Sequence, residues 1–172
     1  MAATEDELMG YLGQLGIATT TVRHPPLFTV EQSQALRGEI PGAHSKNLFL
    51  KDRKDRLFLV VTRENATIDL KRLHERIGAA GKLSFGKPEL LIEVLGVPPG
   101  AVTPFGLIND RAGRVRVALD ADLLASETAN FHPLVNTATT TIRSADLLAF
   151  VRATGHPPLI VRLDAPPEPP KA

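Results

Sequence analysis

The residues of this chain best suited to chemistry are Lys46, His132 and the glycine and proline loop from Gly100 to Pro104. Lys46 stands where the His44-Ser45 loop enters an apolar run, so its side chain can project from a strand end into a cleft. An ammonium there could stabilise a carbonyl oxygen that becomes an oxyanion, or hold a phosphate or ribose. On position alone it also reads as a solvated edge lysine. The loop from Gly100 to Pro104 offers backbone N–H groups and close approach of main chain to a ligand, or a structural crossover. His132, between Phe131 and Pro133, reads equally as a satisfied core histidine and as a site residue.

Other chemistries fail on a missing residue. Gly78-Ala79-Ala80-Gly81-Lys82-Leu83-Ser84 begins like a phosphate loop, but Arg76 stands where the motif needs glycine and Leu83 where it needs Ser or Thr. His74-Glu75 opens like a zinc-protease helix, yet Gly78 occupies the place of the second histidine. There is no Gly-x-Ser-x-Gly elbow, and the absence of cysteine excludes a thiol nucleophile, disulfides and Cys-based zinc sites. No metal and no cofactor are expected.

The elements that must position these residues follow from caps and periodicity. Thr4 with Glu7 forms a capping-box signal, and Leu8, Tyr11, Leu12 and Leu15 follow at helical spacing until Gly16. Thr19 to Arg23 is β-branched and reads as a strand, and Thr29 with Gln32 starts a short helix that Gly38 ends. The stretch from Ile40 to Ser45 reads as loop. Asn47–Lys51 and Leu57–Thr62 flank a polar connection and predict a β-hairpin. A helix is expected over 69–78 with Leu70, Leu73 and Ile77 inward, and another over 88–95, opened by Pro88 and closed by Gly96. Strands are expected at 114–119, 137–142 and 159–163, with a helix over 145–153 capped by Ser144. Strands mixed irregularly with helices, including a direct hairpin, indicate an α+β domain and not a βαβ repeat.

The chain has 172 residues, enough for one well-buried domain, expected over 1–164, with 165–172 a mobile Pro-rich tail. No signal peptide or membrane span is expected, a cytoplasmic address fits, and the absence of a heptad seam favours a monomer. Net charge is only +1, yet residues 46–87 hold eleven basic and five acidic side chains, leaving nine basic and fourteen acidic elsewhere. A basic middle segment set against an acidic remainder favours a face that meets an anion such as RNA, the alternative being ordinary solvated surface.

Four segments in matching order resemble the YbaK/ProX family of trans-editing aminoacyl-tRNA deacylases. They are His24-Pro25-Pro26-Leu27-Phe28-Thr29-Val30, His44 to Asp52, Leu95 to Leu107, and Asn130 to Thr140, within a likeness that spans roughly Thr4 to Leu163. The likeness is greatest to the ProX (PrdX) branch, which clears alanine from tRNA specific for proline. The resemblance implies a single mixed α/β domain around a curved, largely antiparallel sheet. It implies that Lys46 is the active-site lysine, that Asn47 sits beside it, and that Gly100 and Pro104 belong to a Gly-x-x-x-Pro loop approaching the tRNA 3′ end. It also implies that His132 lines the amino-acid pocket.

Such an editing site answers a physical problem: a hydrophobic pocket gains only about 1–3 kcal/mol per methylene, so a site built for proline cannot reject the smaller alanine. Phe28 and Phe131 are expected to set the size limit of the second sieve. Lys46 and the Gly100 backbone would position the ester carbonyl for attack by water, and Lys71, Arg72, Arg76 and Lys82 would touch acceptor-stem phosphates. Partners expected are aminoacylated tRNA and, transiently, prolyl-tRNA synthetase. Two rival readings stay open: the same fold acting on another mischarged tRNA such as Cys-tRNA for proline, and a binding module without catalysis.

Overall fold

The structure is a computed structural model that describes residues 2–26, 35 and 40–164. Apart from Ala35, which is helical, the helix expected from Thr29 to Gly38 lies outside the described residues, as does the Pro-rich tail. Helix α1 (Glu5–Gln14) begins on the expected capping box. Glu7 N–H donates to Thr4 Oγ1 and Thr4 N–H to Glu7 Oε1, both at 3.1 Å, while Leu8 and Leu12 are buried. Strand β1 (Thr19–Arg23) follows, then the hairpin of β2 (Ala43–Lys51) and β3 (Leu57–Arg63). Next come α2 (Leu73–Ile77), β4 (Ser84–Phe85) and α3 (Pro88–Leu95). Two 3-10 turns, Pro99–Ala101 and Pro104–Asn109, lead into β5 (Val115–Asp120), α4 (Ala121–Leu124), β6 (Thr128–Phe131), β7 (Ala138–Arg143), α5 (Ser144–Ala153) and β8 (Leu159–Val161).

Among the described residues the sheet has eight strands, in the order β1-β7-β6-β2-β3-β5-β8 with β4 set against β2. Four pairings are antiparallel and three (β2–β6, β3–β5, β5–β8) are parallel. Helices α1, α3 and α5 cover one face over a core that includes Phe49, Phe105, Phe131 and Phe150. On the other face α2 buries Leu73 and Ile77 with Leu50, Phe58, Val60 and Leu83 in a second cluster. Buried area of this kind is the main stabilising term, at about 25 cal/mol per Å² of apolar surface.

Several expectations need correction. His44 and Ser45 belong to β2 and not to a loop, because Ala43 and His44 pair with Ala129 and Asn130 of β6. The helix expected over 69–78 is only Leu73–Ile77. Asp69 turns the chain first, accepting from Lys71 N–H through its carboxylate, and Leu70 is left 38% exposed. Ser144 does not cap α5 with its side chain, since its Oγ donates to Ser126 O. Strands β4 and β6 and helix α4 are additional to the expected elements.

The hairpin turn is fixed by Asp52, whose carboxylate accepts from the N–H groups of Lys54, Arg56 and Ala80 and from Arg56 Nε, each at 2.9 Å. Burial alone would raise its pKa, but these bonds to the charged form prevail and hold it at about 2.

Candidate active site

Lys46 and Asn47 lie at an opening in the sheet. Along one side β2 runs against β3 from Ser45 to Lys51. Along the other it meets β6 only at Ala43 and His44, and β4 only at Leu50 and Lys51, where Gly86 N–H donates to Phe49 O. Between these ends, residues 45–48 have no strand neighbour on that side among the described residues. Backbone groups alternate in direction along a strand, and Phe49 turns its carbonyl to that side, so the N–H and C=O of Asn47 also face the opening.

The two side chains leave β2 on opposite faces. Lys46 shares the face of Leu48 and Leu50, and its Nζ donates to Ala66 O at 2.8 Å in the turn after β3, so that among the described residues two of its three protons stay open to a ligand. Asn47 shares the face of Ser45 and Phe49. Its Nδ2 donates to Ser45 Oγ at 3.2 Å, and Ser45 Oγ donates to Asn130 O at 2.7 Å. That chain orients the amide, and its other end, Oδ1, is buried with no hydrogen-bond partner among the described residues. An unsatisfied buried acceptor costs about 1–3 kcal/mol unless a ligand or water meets it.

The Gly100 loop packs on the main core through Ala101 and Phe105. Phe105 anchors it, with its ring edge-on to Phe131 at 6.0 Å and to Phe150 at 5.4 Å. Thr103 caps the second 3-10 turn by accepting from Phe105 N–H at 3.2 Å, and Pro104 is buried. Gly100 itself is exposed, and a Cβ there would come within 3.3 Å of Asn136 Nδ2. Main chain is therefore what this position presents, beside the loop that follows β6. Within that loop Leu134 is 7% exposed yet adopts φ 72°, a conformation costly for a branched side chain and held by its burial.

His132 opens the same loop. Its Nδ1–H donates to Ala138 O at 2.9 Å, which leaves Nε2 as an acceptor. Desolvation lowers its pKa below the ordinary value, the Ala138 bond opposes this, and nearby His24 lowers it slightly further. The two rings are 6.3 Å apart, and His24 is itself held by Pro25 O and Thr139 Oγ1, each at 2.8 Å.

The structure thus brings Lys46 and Asn47 to one opening, Gly100 to Asn136, and His132 to His24. Phe131 is 2% exposed and packs into the core beneath the loop, and Phe28 lies outside the described residues. Lys71, Arg72 and Lys82 are exposed; Arg72 pairs with Glu75 at 3.3 Å, while Arg76 donates to Arg162 O at 2.7 Å. All four belong to α2 or its flanks, on the sheet face from which Lys46 projects. Sequence reasoning missed Ser45, His24, Asn130, Asn136 and Thr139 as supporting polar groups. Among the described residues no group of three or more His, Cys, Asp or Glu could hold a metal ion, and no helix is long and apolar enough to cross a membrane.

Comparison with known proteins bears on the family and the fold. A family model described as an aminoacyl-tRNA editing domain matches residues 24–150. The chain is 40% identical over 162 residues to the mouse (Mus musculus) prolyl-tRNA synthetase associated domain-containing protein 1, covering 92% of this chain and 95% of that one. It is 38% identical over 146 residues to the prolyl-tRNA editing protein ProX of Acetoanaerobium sticklandii, covering 84% and 88% respectively. The fold is shared with a solved structure described as a candidate trans-editing enzyme for prolyl tRNA synthetase, at TM-score 0.70 and 22% identity over 96% of this chain and all of that one. With a family model spanning most of its length and relatives matched nearly end to end, this chain belongs to the aminoacyl-tRNA editing domain family of YbaK/ProX type.

Proposed function

We propose that the protein is a trans-acting aminoacyl-tRNA deacylase that hydrolyses alanine from tRNA mischarged in place of proline. The observation that carries this reading is the opening at residues 45–48, where a half-free lysine ammonium leaves one face of β2 and, on the other, an oriented amide keeps a buried Oδ1 with no partner among the described residues. An aminoacyl ester supplies complementary groups: a carbonyl that becomes an oxyanion, and a positively charged α-amino group that can donate to Asn47 Oδ1.

In this mechanism Lys46 Nζ and the backbone N–H of Gly100 hold the ester carbonyl oxygen. Water attacks the carbonyl carbon, the bond to the ribose oxygen breaks, and that oxygen takes up the proton. The free neighbouring ribose hydroxyl assists, so no protein nucleophile is required. Neutral His132 and Asn47 position the amino acid, and Pro104 shapes the loop. Phe28 and Phe131 limit its size, the latter from within the core. Lys71, Arg72, Arg76 and Lys82 take acceptor-stem phosphates. The names of the mouse and bacterial relatives support a substrate in the proline system and association with prolyl-tRNA synthetase.

The test is to incubate the protein with tRNA for proline charged with alanine, cysteine, serine or proline and to follow each amino acid released. Selective alanine release is expected. Selective cysteine release would move the specificity, and no release from any would leave a binding module.

A further inference from the structure

Phe85 is 61% exposed, more than any other large apolar side chain among the described residues. Its backbone is nonetheless fixed. It pairs with Leu50, and the next residue donates Gly86 N–H to Phe49 O at 2.9 Å. Gly86 also lies so close that a Cβ there would meet the Phe49 ring at 2.4 Å. An exposed ring on an immobilised strand presents a flat apolar surface at little entropic cost.

Its position relates it to the site. Paired residues of neighbouring strands share a face, so Phe85 stands with Leu50 and Leu48, and Lys46 lies four residues up the same face of β2, about 13 Å away. Lys82 and Lys87 flank β4, both exposed and neither with an ionic partner among the described residues. Lysine is depleted at protein–protein interfaces, whereas single-stranded nucleic acid is held by aromatic rings that stack its bases and by cations along its phosphates.

We propose that Phe85 is the stacking platform for an unpaired base of the tRNA 3′ end, holding the strand while its aminoacylated terminus reaches Lys46. The inference rests on the deacylase reading above. The probe is uncharged tRNA carrying a fluorescent purine analogue in its unpaired 3′ end, which is quenched on stacking, alongside steady-state deacylation of alanyl-tRNA by the same preparations. Quenching is expected with the wild-type protein and with Phe85→Trp, and its loss with Phe85→Ala. In parallel, Phe85→Ala raises KM about 5- to 100-fold with a smaller change in kcat. Equal quenching and equal KM in Phe85→Ala, with the wild type active, overturns the stacking role and leaves the deacylase reading intact. Wild-type protein that hydrolyses no charged tRNA overturns that reading instead. Thermal melts of each variant verify folding, which an exposed ring should not perturb.

Discussion

Replacing Asn47 with leucine separates a substrate-binding asparagine from a structural one, because the two roles move stability and activity in opposite senses. Among the described residues the Asn47 side chain makes one hydrogen bond, Nδ2 to Ser45 Oγ at 3.2 Å, worth about 0.5–1.5 kcal/mol. Against it stands the unpaired buried Oδ1, which costs about 1–3 kcal/mol. Leucine, similar in size and facing the core side with Phe49, removes both, so unfolding free energy should stay level or rise by up to about 2 kcal/mol. For a chain of 172 residues that is a Tm change between none and roughly +6 °C. The bond Oδ1 would accept from a charged α-amino group is worth about 1.5–3 kcal/mol, so kcat/KM on alanyl-tRNA should fall about 10- to 150-fold. The assay pairs thermal unfolding with deacylation kinetics on one preparation. A variant that loses several degrees of Tm and keeps its activity would refute the reasoning, since Asn47 would then serve the fold alone.

Three further outcomes are expected. Replacing Lys71, Arg72, Arg76 and Lys82 together by glutamine should flatten the dependence of log binding constant on log salt by about 0.7–0.9 for each phosphate no longer neutralised; an unchanged slope places the tRNA elsewhere. The His132 proton resonances should titrate below the ordinary histidine value, and His24→Gln should shift the midpoint upward by removing a like charge. Because the folded value is depressed, the neutral ring's contribution to stability is present above about pH 6.5 and lost as pH falls below it. Asp52, held at about 2, contributes stability that is present above about pH 4 and lost as pH falls through 2; Asp52→Asn should be less stable at neutral pH and less acid-sensitive across that window.

What is legible in the sequence is whatever depends on near neighbours in the chain. The capping box of α1, the Pro88 and Gly96 ends of α3, and the polar turn between β2 and β3 each carry local signals, and each element forms where those signals stand. Strand β6 carries none. Thr128-Ala129-Asn130-Phe131 neither alternates cleanly nor runs apolar, and it is a strand because β2 and β7 on either side supply hydrogen bonds from far along the chain. Without β6 the start of β2 cannot be placed, nor can the opening at residues 45–48, which exists only because β6 stops and β4 begins. For the same reason spacing cannot tell Lys46 from an edge lysine, and its role rests on resemblance. The unpaired Oδ1 of Asn47 and the contact of Gly100 with Asn136 are products of tertiary packing, invisible to any local pattern.

The central claim is that the opening at Lys46 is where an aminoacyl ester is hydrolysed, and the most direct measurement is single-turnover release of alanine from alanyl-tRNA for proline by wild-type protein and Lys46→Ala. Removing a preorganised oxyanion donor predicts a loss on the order of 10²- to 10³-fold in rate, with the Lys46→Ala protein folded. A variant that releases alanine at the wild-type rate would contradict the account.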